Sequence, residues 1–169
     1  ASETSATALG YGTKSEGKYS TSLGASSSAP NEKSVAIGYT SVAEGDSSIV
    51  IGDEATTGAA DSIAIGSGAK ATTGAVGSIA IGSGAKAMGP GNIVIGEDAM
   101  ASSASGVNGN VAIGNGAMFY HDDGNTGNVA LGYQAMYGTS KSSNYLNTAI
   151  GYQSQYKSGT TSSNAGHNT

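Results

Sequence analysis

Ile65-Gly66-Ser67-Gly68-Ala69-Lys70-Ala71 reads, taken alone, as a strand running into a glycine-rich turn of the kind that cradles phosphate. The chemistry would be anion binding by backbone N–H groups at a helix N-terminus. A dinucleotide turn needs a following helix of about ten residues or more, and an acidic residue roughly 20 positions further on. The next strand-like run already begins at Ser78, and Ala71-Thr72-Thr73-Gly74 is poor helix material. The same turn is written again sixteen residues later, at Gly82-Ser83-Gly84-Ala85-Lys86-Ala87. A nucleotide site is therefore not expected, and the motif reads as one unit of a repeat.

Other reactive groupings are sparse. His121-Asp122-Asp123 is the tight group of potential metal ligands, but a hard cation wants about six or more oxygens. Three neighbours on a glycine loop cannot supply that set, so no metal is expected and the group reads as a solvated acidic turn. The two histidines, His121 and His167, both fall in loops, which leaves no Ser–His–Asp arrangement to argue. Asp53-Glu54 and Glu97-Asp98 follow turn glycines and should face water. No enzyme activity and no cofactor are expected. Tyr120, His121, Asp122, Asp123, Lys141 and Tyr145 stand as candidate contacts for a binding partner.

Composition supports a non-catalytic reading. Glycine is 28 of 169 residues, Trp and Cys are absent, and charged residues make up 11%. The missing cysteine excludes a disulfide scaffold and thiolate metal sites. A net charge of −5 without a basic cluster makes nucleic acid an unexpected partner. Apolar runs fall far short of the ~20 residues that span a membrane, so no membrane contact is expected. No leader is visible at Ala1, and a start without Met reads as processing or as a piece of a longer chain.

The element that must position everything is the unit apolar–small–apolar–Gly. Its glycines are Gly10, Gly24, Gly38, Gly52, Gly66, Gly82, Gly96, Gly114, Gly132 and Gly151, spaced by 14 residues at first and by up to 19 at the end. With the glycine as position zero, positions −3 and −1 are mostly β-branched or leucine, as in Val35/Ile37, Ile63/Ile65 and Val129/Leu131. Position −2 is small, and position +3 is Ala or Ser from Ser41 onward. Alternation with period two in β-branched residues predicts a short strand, ended by a glycine turn. Small residues near +5 predict a second short strand crossing back. The fold class is all-β: a parallel β-roll or solenoid of about ten coils, each of 14–19 residues, stacked at ~4.8 Å. Residues 1–156 form the roll, and the polar residues 157–169 read as a connector.

A coil of 14 residues is thin, which predicts that one chain does not suffice. The expectation is that −3 and −1 point into the chain's own core. The small stripe at −2 (Ala36, Val50, Ala64, Ala80, Val94, Ala112, Ala130 and Ala149) would then face neighbouring chains.

Ser34-Val35-Ala36-Ile37-Gly38, Ser62-Ile63-Ala64-Ile65-Gly66 and Ser78-Ile79-Ala80-Ile81-Gly82 resemble the repeat of the YadA-type head of trimeric autotransporter adhesins. The resemblance covers about residues 6–156. It implies a left-handed parallel β-roll, a homotrimer, and attachment of a bacterial surface to host cells or extracellular matrix. The later units around Gly132 and Gly151 are also similar to repeats of bacteriophage tail fibres, which implies the alternative of a virion segment that binds a bacterial receptor. A spacer with no ligand of its own is the third reading.

Extra residues accumulate between +5 and the next −3, in 102–109, 120–127 and 138–146, so they gather at one corner of the roll. Polar loops of this make-up stay outside. Tyrosines follow the same gradient: Phe119, Tyr137 and Tyr156 share +5, and Tyr133 and Tyr152 share +1. Ladders of such rings rigidify wide coils or offer a platform for a sugar or protein. Met100, Met118 and Met136 share +4 and read as packing. The partner expected is an extracellular protein or glycan.

Overall fold

A computed structural model describes residues 5–102, 106–120, 125–138 and 146–155. Its strands alternate between two parallel sheets. The long sheet holds β1 (Thr7–Leu9), β3 (Thr21–Leu23), β5 (Val35–Ile37), β7 (Ile49–Ile51), β9 (Ile63–Ile65), β11 (Ile79–Ile81), β13 (Ile93–Ile95), β14 (Val111–Ile113), β15 (Val129–Leu131) and β16 (Thr148–Ile150). The short sheet holds β2 (Lys14–Ser15), β4 (Ser28–Ala29), β6 (Val42–Ala43), β8 (Thr56–Thr57), β10 (Lys70–Ala71) and β12 (Lys86–Ala87). Each strand pairs in register with its equivalent one coil on, as Ile49↔Ile63 and Ala80↔Val94 show. The chain is thus an all-β parallel solenoid of repeated coils, as the repeat implies. Among the described residues no helix is long and apolar enough to cross a membrane.

The phosphate-like turn is a coil corner. Gly66 ends β9, and the chain passes through Gly68 and Ala69 directly into β10, with no helix between. All ten turn glycines have φ between 121° and 145°. Gly66 shows why no other residue serves: a Cβ there would lie 2.6 Å from the carbonyl oxygen of Gly82 in the next coil. The coils stack through their glycines, so the close approach recurs from Gly10 to Gly132.

The facing of the long sheet corrects the sequence expectation. Val50 is 0% exposed, whereas its neighbours Ile49 and Ile51 are 37% and 38% exposed. Ala36, Ala64, Ala80, Val94, Ala112, Ala130 and Ala149 are buried with Val50 inside the chain's own roll. The −2 stripe therefore cannot face a neighbour, and −3 and −1 form the outer face. Thinness is the reason. A three-residue strand turns either its middle or its two ends inward, and two sheets this close leave room only for the middle one. Alanines at −2 meet the small residues at +3 and +5, such as Ala69 and Ala71.

Buried hydroxyls line the same core, and several donate to turn carbonyls. Ser48 Oγ donates to the Gly45 carbonyl at 2.7 Å, and Ser62 Oγ to the Ala59 carbonyl at 2.6 Å. At this position, −4, serine gives way to asparagine at Asn92. The amides then form a ladder between coils. Asn92 Oδ1 accepts the Asn110 backbone N–H at 2.9 Å, and Asn128 Oδ1 accepts that of Asn147 at 3.0 Å.

The second sheet ends where the ladder begins. Among the described residues no strand joins it after β12, although a strand in every coil was expected. In the first coils position +4 points outward and +5 inward, as with Lys70 and Ala71. In the later coils Met100, Met118 and Met136 at +4 have φ of 51° or 52° and are buried. The left-handed backbone swings +4 into the core and +5 out of it. Inter-coil bonding survives, since the Met100 N–H donates to the Ala117 carbonyl at 2.9 Å and the Met118 N–H to that of Ala135 at 3.0 Å. Lys86 closes the junction: its Nζ donates to the Ala101 carbonyl at 2.7 Å.

Candidate binding surface

The inversion at +4 and +5 puts aromatic rings on the outside of the roll. Phe119 and Tyr137, both at +5, stack with ring centroids 5.3 Å apart and planes 14° from parallel. Tyr120 meets both edge-on, at 4.5 Å from Phe119 and 5.4 Å from Tyr137. The three rings brace one another in the offset and edge-to-face contacts that aromatic quadrupoles favour. Tyr120 is 44% exposed, so part of its ring stays open to a partner.

A second ladder follows the +1 and +2 positions. Tyr133 and Tyr152 stack at 5.4 Å with planes 9° from parallel. Beside them Gln153 Nε2 donates to Gln134 Oε1 at 2.9 Å. One coil earlier in the same row, Asn115 Nδ2 donates to Glu97 Oε2 at 2.8 Å. These side chains repeat at the spacing of the coils and present rings, amides and a carboxylate in rows. Rows of this kind suit contact with an extended or repetitive ligand, by stacking and hydrogen bonding. They hold no nucleophile paired with a base.

Of the candidate contacts taken from the sequence, Tyr120 lies in the described structure and joins the Phe119–Tyr137 cluster. His121, Asp122, Asp123, Lys141 and Tyr145 lie outside the described residues. Among the described residues no three His, Asp or Glu side chains come close enough to hold a metal ion. Sequence reasoning missed the asparagine ladder of Asn92, Asn110, Asn128 and Asn147. Its signal was present, because serine changes to asparagine at one register position as the coils lengthen.

The outer face of the long sheet is the other surface without a cover. Leu23, Ile49, Ile51, Ile93 and Leu131 are all exposed there, in two rows along the coils. A continuous aliphatic face of this kind marks an interaction surface.

Coil, register and glycine stacking define a repeat-built β-roll head. The residues that write it, 1–27, 29–55 and 58–85, match the YadA head domain repeat. Those residues are YadA head repeats, and the chain as a whole has the fold of a YadA-type head. Among solved structures it is similar to the collagen-binding domain of the Yersinia adhesin YadA, with a TM-score of 0.68 and 21% identity. The likeness covers 95% of this chain and 82% of that one, and it concerns the fold. No curated protein matches the chain by sequence.

Proposed function

We propose that this chain is the head segment of a bacterial surface adhesin, displayed outside the cell as a homotrimer, and that it attaches to extracellular matrix or host cells without catalysis. The YadA-type head fold carries this reading. The similar Yersinia domain binds collagen by its description, which makes collagen the first ligand to try.

Two features of the chain support the parts of the proposal. The aliphatic rows at −3 and −1 suit association around a common axis, since three copies can cover faces that one copy leaves in water. Tyr120, at the start of one insert, is exposed and stays available to a ligand. Trimeric display also multiplies weak contacts, because three copies of one corner act at high effective concentration.

The test is binding of the purified chain to immobilised fibrillar collagen, with Tyr120→Ala and a deletion of residues 120–127 alongside. The reading expects saturable binding that the deletion abolishes and Tyr120→Ala weakens. Absence of binding to collagen and to a panel of matrix proteins, with binding to bacterial envelope fractions instead, would favour the virion-fibre alternative. Unchanged binding in both variants would move the contact away from the corner.

A further inference from the structure

Two Asn-Gly pairs stand in the widening half of the roll, Asn108-Gly109 and Asn115-Gly116. This dipeptide is prone to deamidation, because glycine has no side chain to keep its nitrogen away from the neighbouring amide. The glycine nitrogen gives up its proton and bonds to the asparagine Cγ. The Cγ–Nδ2 bond breaks, and ammonia leaves with that proton, which closes a succinimide ring. Water then opens either ring carbonyl to give aspartate or isoaspartate. The reaction asks for a side-chain amide free to turn and a glycine nitrogen open to solvent base.

The structure treats the two pairs differently. Asn115 Nδ2 donates to Glu97 Oε2 at 2.8 Å, and the Gly116 N–H donates to the Glu97 carbonyl at 2.9 Å. One residue therefore holds both reacting groups. The next coil also covers Gly116, which is buried: a Cβ there would meet Gln134 Cγ at 3.3 Å and the Tyr137 ring at 3.7 Å. Asn108 is half-buried, and among the described residues its side chain makes no hydrogen bond. Gly109 is exposed, and a Cβ on it would meet nothing within 4 Å. Its N–H donates to the Pro90 carbonyl at 3.0 Å, so a backbone bond is common to both sites. The side-chain grip and the cover are what separate them.

We propose that Asn108-Gly109 is a site of spontaneous deamidation whose product unfastens the insert ending at Gly127, and that Glu97 shields Asn115-Gly116 from the same reaction. The Asn108 carbonyl accepts the Gly127 N–H and the Asn110 Nδ2, each at 3.1 Å. Asn108 also bridges in parallel to Thr126. In isoaspartate the main chain runs through the former side chain, and that carbonyl becomes a carboxylate beside it. The backbone gains a methylene, so the register to Thr126 is lost. A negative charge is added to a chain whose net charge is already −5. The inserts 102–109 and 120–127 meet at this contact, whatever the corner binds.

Peptide mapping by mass spectrometry on the folded 169-residue chain, aged at mildly alkaline pH, tests this. Glu97→Ala, Glu97→Gln and the parent chain in urea are the comparisons, and Glu97 is exposed, so its replacement leaves the core intact. Asn108 should convert to aspartate and isoaspartate. Asn115 should react roughly tenfold more slowly, the effect of about one hydrogen bond to a charged group. In urea, where neither pair is held, the two rates should agree within about twofold. Glu97→Ala should speed Asn115 and leave Asn108 unchanged, while Glu97→Gln, which keeps an acceptor, should restore the slow reaction. In the aged folded chain the Gly127 N–H should lose its protection from hydrogen exchange in step with isoaspartate. An Asn115 that reacts as fast as Asn108 in the folded chain would overturn the proposal. So would an Asn108 that stays intact while the urea sample converts, or isoaspartate without a change at Gly127. An Asn115 unaffected by Glu97→Ala would overturn the role given to Glu97.

Discussion

Asn110 Oδ1 accepts both hydrogen bonds that Asn128 has to offer it, the backbone N–H at 2.8 Å and Nδ2 at 3.0 Å. The same Asn110 donates its own Nδ2 toward Asn92 Oδ1 and the carbonyls of Asn108 and Asn125. One amide therefore ties three coils together in the part of the roll where, among the described residues, the second sheet has no strand. Asn110→Ala should cost about 2 kcal/mol or more, because it strands buried donors of Asn128. Ser48→Ala, whose hydroxyl donates to Gly45 and accepts from Thr57, should cost nearer 1 kcal/mol. Urea unfolding of the two variants checks the order.

Asn110→Asp separates acceptor from donor at the same place. The new carboxylate would face Asn92 Oδ1 and two carbonyls where an N–H group stood. Those oxygens favour the protonated acid, so the folded-state pKa of this Asp should rise above its ordinary value of about 3.9. The folded state then binds the proton more tightly than the unfolded state, and stability falls as pH rises through that window. The variant should be clearly weakened at pH 7 and recover toward the parent near pH 4. Melting curves at the two pH values check this; a pH-independent loss would contradict the contact.

Glycine substitutions should rank by backbone approach rather than by flexibility. Gly66→Ala puts a Cβ 2.6 Å from the Gly82 carbonyl, at φ 127°. Gly68→Ala meets nothing within 4 Å and needs only the left-handed φ of 65°. The second should cost about 1 kcal/mol, and the first several times more. Thermal unfolding of the pair measures the difference.

The aromatic cluster should matter more to attachment than to stability. Tyr120 is partly exposed and leans edge-on against Phe119 and Tyr137. Tyr120→Ala should lower stability by about 1 kcal/mol. Phe119→Ala should cost more, since it removes the stack with Tyr137 as well as the contact with Tyr120. Binding to collagen should fall in both variants.

Much of the scaffold was legible in the residues. Glycine spacing and the large–small–large alternation locate every strand of the long sheet, because only glycine permits the close approach seen at Gly66 and Gly82. The inward side of that alternation was not legible. Ile49-Val50-Ile51 is symmetric about Val50, and only the narrow gap between the sheets decides that Val50 goes in. The inversion at Met100 was hidden for a different reason. A left-handed φ on a non-glycine residue carries no local sequence mark, though the exchange of Lys-Ala for Met-Phe and Met-Tyr at +4 and +5 was its trace. Of the binding corner, Tyr120 was found from its place in an insert, whereas its Phe119–Tyr137 bracing depends on that hidden inversion.

The exchange of faces has a direct consequence for Val50 and Ile51. Val50→Glu puts an unpaired charge inside the roll and should cost about 3–5 kcal/mol, enough to unfold a marginal coil stack. Ile51→Glu places its charge in water on the outer face, so it should leave the circular dichroism of the roll intact.

Light scattering on the parent and on an Ile51→Glu, Ile65→Glu double variant is the measurement that bears most directly on trimeric display through the outer face. The parent at micromolar concentration should have three times the chain mass of 16.3 kDa. The double variant should keep its β signal and drop to the mass of one chain. A monomeric parent, or a double variant that still assembles, would contradict the account.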